Sequence, residues 1–152
     1  MHTLVIGCDN AAFSLKSEII EYLKSYNLAI EDMGCDSSDD TTNYPTIASR
    51  VCEAIINSQY QKRGILLCGT GIGMAITANK FKNIRAAVCH DSYSAERSIL
   101  SNNCNVLCMG ARIIGSELAK KNLSEWLHLE YCDGRSTPKI EEISQIEMAN
   151  FK

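Results

Sequence analysis

The sequence lacks most features that mark the large non-globular or nucleic-acid-binding classes. Two prolines and nine glycines in 152 residues, with 45% hydrophobic and 22% charged types, exclude a disordered or fibrous chain. No apolar run approaches the ~18 residues that a bilayer span needs, so no membrane partner is expected. The N-terminus, Met1-His2-Thr3 and then Leu4-Val5-Ile6-Gly7, has no charged n-region and no extended apolar stretch. No export signal is therefore expected, and the predicted location is the cytoplasm. Positive charge is also short, with 15 Lys+Arg against 18 Asp+Glu for a net charge of −3. Such a balance cannot neutralise a run of phosphates, which argues against nucleic acid as a partner.

Histidine is scarce as well, at three residues, and no C-x-x-C occurs among the eight cysteines. That pattern argues against a structural zinc site, and reduced thiols are expected. Cys8, Cys68, Cys89 and Cys108 lie in or at the end of apolar runs, where a free cysteine acts as a small buried hydrophobe.

What is present is a chain the size of one domain, 1–152, without repeats or linkers. Five nearly continuous apolar runs predict strands covered on both faces: Leu4 to Cys8, Ala29 to Met33, Gly64 to Cys68, Arg85 to Cys89 and Asn105 to Met109. Between them, helical spacing predicts helices at 13–26, 46–58, 72–81, 92–100 and 115–129. A last helix begins at about Pro138, with Thr137 as its N-cap and Pro138 in its first position. The alternation predicts an α/β fold, a Rossmann-like three-layer sandwich around a five-stranded parallel sheet. Ligands of such sheets bind beyond the carboxyl ends of the strands. Those ends carry Cys8-Asp9-Asn10, Cys68-Gly69-Thr70-Gly71, His90-Asp91 and Gly110-Ala111-Arg112.

The richest of these segments is Cys68-Gly69-Thr70-Gly71-Ile72-Gly73. Its alternating glycines permit a tight turn and a close-lying ligand, and the amides of the next helix favour an anion. Those amides suit a thiolate at Cys68, although an inert core cysteine beside a Gly-rich turn fits equally well. Met74 occupies the place of the last glycine of G-x-G-x-x-G, and no Lys-Ser/Thr pair comes after it, so neither nucleotide-binding motif is met. Asp9 is read either as a helix N-cap or as a ligand group. Arg135 and Lys139 flank a helix start, where the dipole disfavours cations; they are read as an anion clamp or as solvated charges.

Together these segments resemble the ribose-5-phosphate isomerase B / galactose-6-phosphate isomerase family. The resemblance runs from Gly7-Cys8-Asp9 through Asn43-Tyr44-Pro45, Cys68 to Gly73 and Ala78-Asn79-Lys80. It continues through Ile84 to Asp91, Asn105-Val106-Leu107, Met109 to Arg112 and Asp133-Gly134-Arg135. It implies aldose–ketose isomerisation through a cis-enediol, with no metal or other cofactor. It further implies that Cys68 is the general base and that the amides of Gly71 to Met74, Ile72 and Gly73 among them, hold the enediolate oxygen with Asn79 nearby, Gly69 also lying on the substrate. Thr70 would shuttle protons between the two oxygens. By the same resemblance Asp9, with Asn10 and Tyr44, lies on the sugar, while Arg112, Arg135 and Lys139 grip its phosphate. A homodimer, or a tetramer, with sites shared between subunits is implied, its last helix (about 138–150) packing on the partner.

Three positions depart from the family's pattern. Asn10 stands where Asp-His is usual, and Ser101-Asn102 where His-Asn is usual, the His being the group that opens the sugar ring. Lys139 replaces an arginine and lacks its bidentate fork. The expected substrate pair is ribose 5-phosphate and ribulose 5-phosphate. Allose or galactose 6-phosphate, or sugar-phosphate binding without turnover, are the alternatives. With Ser101 a poor acid, a low aldose-side rate, a sugar richer in open chain, or His90 as substitute acid is expected.

Overall fold

In the computed structural model, which describes residues 2–151, a five-stranded sheet separates two helical layers. The strands are β1 (Leu4–Cys8), β2 (Ile30–Asp32), β3 (Arg63–Cys68), β4 (Ala86–Val88) and β5 (Val106–Gly110). All pairings are parallel, in the order β2-β1-β3-β5-β4. The helices are α1 (Phe13–Leu23), α2 (Tyr44–Asn57), α3 (Ile72–Ala78), α4 (Ser92–Leu100), α5 (Ser116–Leu127) and α6 (Thr137–Asn150). The Rossmann-like α/β sandwich expected from the sequence is the architecture found.

Strand side chains alternate between the two layers, as the period of two dictates. Leu4, Ile6, Ile65, Leu67, Leu107 and Met109 pack with Leu15, Ile19, Ile99, Leu123 and Trp126 of α1, α4 and α5. Val5, Leu66, Cys68, Val106 and Cys108 face the opposite way, onto Ile47, Val51 and Ile55 of α2 and Met74 and Ala78 of α3. Cys68 thus points into the layer whose helix α3 starts shortly after it.

The differences from expectation are at element ends. The stretch 24–26 continues α1 as a 3₁₀ turn that ends at Asn27 in the left-handed region. Helix α3 stops at Ala78, three residues early, because the Asn79 side chain leaves the helix for the backbone of β4. Thr137 does not cap α6. Its hydroxyl accepts the Gly134 amide at 2.8 Å and lies 2.6 Å from Tyr131 Oη, so it fastens the preceding loop instead. None of the helices is long and apolar enough to cross a membrane, among the described residues.

Candidate active site

The direction in which strands are added reverses between β1 and β3: β1 leads outward to β2, whereas β3 leads the other way to β5 and β4. In open parallel sheets that reversal opens a crevice at the strand ends. Asp9 comes directly after β1 and Cys68 ends β3, so both stand at this crevice. The Cys68 side chain is 5% exposed, and its Sγ accepts the Gly71 amide at 3.0 Å. Gly71 has φ +77°, the left-handed backbone that lets the chain enter α3 directly after the turn. Thr70 is exposed at the tip of the turn, where its Oγ1 accepts the Ile72 amide at 3.3 Å.

Burial acts strongly on several of the other thiols. It pushes Cys52 and Cys104 up to about 12, and Cys108 well above the ordinary thiol range. Such thiols remain protonated core residues. At Cys68 a backbone donor is aimed at the sulfur and a strand mouth lies in front of it.

Four more residues stand at the same end of the sheet as the turn. Asp9 caps the 3₁₀ turn after β1, its Oδ1 accepting the Ala11 amide at 3.1 Å, so the N-cap reading holds for that oxygen. Asn10 is exposed beside it. Tyr44, the first residue of α2, lays its ring against Gly73, where an added Cβ would meet Cε2 and Cζ at 2.5 Å. Arg112 lies over Gly69, with its Nη1 3.1 Å from where a Cβ would stand. Asp9, Asn10, Tyr44, Cys68 to Gly73 and Arg112 therefore share one end of the sheet.

The remaining candidates gather elsewhere. Asn79 and Asn102 line a 470 Å³ cavity along the edge strand β4, with Arg85, Arg97, Ser94 and Ile143. The Asn79 amide is engaged at both ends, donating to the Ala86 carbonyl at 2.9 Å and accepting the Ala86 N–H at 2.8 Å. Within this chain it braces β4. Ser101 comes just after α4, and its Oγ accepts two bonds from Arg97, from Nε at 2.9 Å and Nη2 at 2.6 Å. Strand β5 separates that region from β3 and Cys68. Arg135 and Lys139 are exposed at the start of α6.

His90 is not a free acid. Its Nε2 accepts the Gly110 amide at 2.8 Å, so that nitrogen carries no proton. The neighbouring Asp91 caps α4 by accepting the Ser94 N–H and Oγ–H, both at 2.7 Å. Sequence reasoning did not single out Arg97, although its spacing of four from Ser101 at the end of a helix was the available signal.

Among the described residues no group of three or more His, Cys, Asp or Glu is arranged to hold a metal ion. The set can supply a thiol base with an amide-lined turn, a carboxylate for hydroxyls and cations for an anion.

Comparison with known proteins gives the family. Residues 4–143 match the family model described as Ribose/Galactose Isomerase. The chain is 48% identical over 147 residues to D-erythrulose-4-phosphate isomerase of Pectobacterium atrosepticum, covering 97% of this chain and 96% of that protein. It is 45% identical to ribose-5-P isomerase B of Listeria innocua, covering 97% and 98%. The structure of ribose-5-phosphate isomerase B from Clostridium thermocellum superposes with a TM-score of 0.91 at 37% identity, covering 97% of this chain and 98% of that one. With almost the whole chain matched in sequence and in fold, the protein belongs to the ribose/galactose isomerase family.

Proposed function

We propose that the protein interconverts an aldose phosphate and its ketose phosphate through a cis-enediol, with Cys68 as the base, and that its preferred substrate is a tetrose 4-phosphate. In this reading the Cys68 thiolate takes the proton from C2 of the open-chain aldose and returns it to C1. The negative oxygen that develops meets the amides at the start of α3, a donor arrangement typically worth about 3 kcal/mol of barrier per bond. Thr70 moves the proton between O1 and O2. The second oxygen of Asp9 binds a sugar hydroxyl, and Arg112 anchors the phosphate.

The observation that carries the substrate reading is Ser101, whose oxygen is held by the Arg97 guanidinium and which stands at the position that the family resemblance gives to the ring-opening imidazole. A serine hydroxyl is a poor acid at neutral pH. Ribose 5-phosphate and the hexose 6-phosphates close into rings through O4 or O5. A tetrose phosphorylated on O4 cannot form a furanose and presents its carbonyl directly. The name of the 48% identical relative supports this choice. Ribose 5-phosphate remains the second reading, supported by the 45% identical relative and by the intact Cys68 turn.

We also propose that a second copy of the chain completes each site. The Cys68 turn, the β4 cavity with Asn102, and the Arg135–Lys139 pair are separate in one chain, and Ile72 and Ile76 of α3 are 55% and 59% exposed beside the turn.

The test is kcat/KM for D-erythrulose 4-phosphate and for D-ribose 5-phosphate, in the parent and in Ser101→His. The tetrose should be preferred. Restoring the imidazole should raise ribose 5-phosphate turnover within the ~10²–10⁴-fold range of general acid help while leaving the tetrose rate unchanged. Equal parent kcat/KM on both sugars, with no gain for Ser101→His, would overturn the tetrose reading.

A further inference from the structure

The β4–β5 ladder ends in an unusual way. Val88 pairs with Cys108, and the Cys89 amide donates to the Cys108 carbonyl at 3.1 Å. One more rung of a parallel ladder would send the Gly110 amide to the Cys89 carbonyl. That carbonyl instead faces Nδ2 of Asn122, a fully buried residue of α5, at 3.4 Å. The Gly110 amide goes to the imidazole Nε2 of His90 at 2.8 Å. A side chain has taken the place of a strand carbonyl.

The two residues after Gly110 tie the exit of β5 to the Cys68 turn. The Ala111 amide donates to the Cys68 carbonyl at 2.8 Å, and the Arg112 amide to the Gly69 carbonyl at 3.0 Å. Gly110 itself is pressed on the same turn, since a Cβ there would lie 2.6 Å from Thr70 Cα and 2.8 Å from the Gly69 oxygen. Three consecutive amides thus fix the exit of β5, two of them on the turn that carries Cys68 and the first on His90.

From this geometry we infer that His90 is a positioning residue for the isomerase site. By accepting the Gly110 amide, it holds the Gly110–Arg112 segment in the register that aims the Gly71 amide at Cys68 and lays Arg112 over Gly69. The role requires an acceptor at Nε2 and hence the proton on Nδ1, a neutral tautomer fixed by the backbone. The inference rests on the proposed use of the Cys68 turn, but its key contact is independent of which atom removes the substrate proton.

The experiment compares His90→Leu and His90→Gln in the full chain, assayed with whichever of the two sugar phosphates the parent turns over. Leucine fills the space without an acceptor, whereas the glutamine Oε1 reaches the place of Nε2. Misplacement on the 1 Å scale costs up to ~10²-fold, so kcat should fall about 10- to 100-fold in His90→Leu with KM little changed. His90→Gln should recover most of that loss. In parallel, ¹⁵N NMR of the parent's His90 ring should show an unprotonated Nε2 and a protonated Nδ1, a readout that needs no activity and no folded variant. Parent-like kcat in His90→Leu, no advantage of Gln over Leu, or a protonated Nε2 would each overturn the inference. Cys68→Ala is run alongside. Turnover in that variant would overturn the base assignment only, because the positioning role is read from the Leu–Gln contrast and the tautomer.

Discussion

The Gly71 amide and the Cys68 sulfur, 3.0 Å apart, form the smallest unit in which this sequence turns backbone geometry into chemistry. The bond gives the sulfur a backbone donor, and Gly71, at φ +77°, carries the chain from it directly into α3. Cys68→Ala should abolish isomerisation while leaving the fold and sugar-phosphate binding intact. Exchange of the substrate C2 proton with solvent at the parent rate, monitored by NMR in deuterated water, would show that another group is the base.

Gly73 admits the Tyr44 ring so closely that a methyl group there must displace it. Gly73→Ala should therefore swing the Tyr44 ring aside at a net cost of no more than about 1 kcal/mol, alanine's better helix propensity offsetting the displaced contact, and it should lower kcat at the same time. Because Tyr44 is 41% exposed, it has room to leave. The double variant Gly73→Ala/Tyr44→Ala should regain stability relative to Gly73→Ala alone, a non-additivity that thermal unfolding of the four proteins measures. Strictly additive losses would contradict the contact.

Acid sensitivity should track His90 and Asp91. Burial holds the His90 imidazole below its ordinary value, with the Asp91 carboxylate pulling in the opposite direction. The unfolded chain titrates at ~6.5 and so takes up that proton first; stability is present above that pH and declines as pH falls towards the folded value. Hydrogen bonds from the Ser94 backbone and hydroxyl hold the Asp91 carboxyl below its usual range. Its contribution is present above ~3.9 and fades below it. Thermal unfolding between pH 7 and 5 should show a drop that His90→Gln flattens, and an unchanged slope in that variant would exclude His90 as the source.

The shared-site reading makes an assembly prediction. The chain of 16.8 kDa should sediment as a dimer at micromolar concentration. Ile76→Glu, at a position 59% exposed in the single chain, should yield a folded monomer without turnover. A fully active monomer would show that one chain suffices.

Much of this was legible in the linear sequence. Apolar runs such as Gly64-Ile65-Leu66-Leu67-Cys68 read as strands buried on both faces, and helical stripes between them force parallel crossovers. The Gly-rich turn after β3 announced itself because alternating glycines next to a cysteine are a local pattern. What the sequence could not decide was partnership across space. That Asn79 braces β4 and that His90 receives the Gly110 amide depends on which surfaces meet after the sheet is assembled. The strand order alone places β5 between Cys68 and the β4 cavity. Local propensity and periodicity act over a few residues, whereas these contacts span 7 and 20 positions and are fixed by packing.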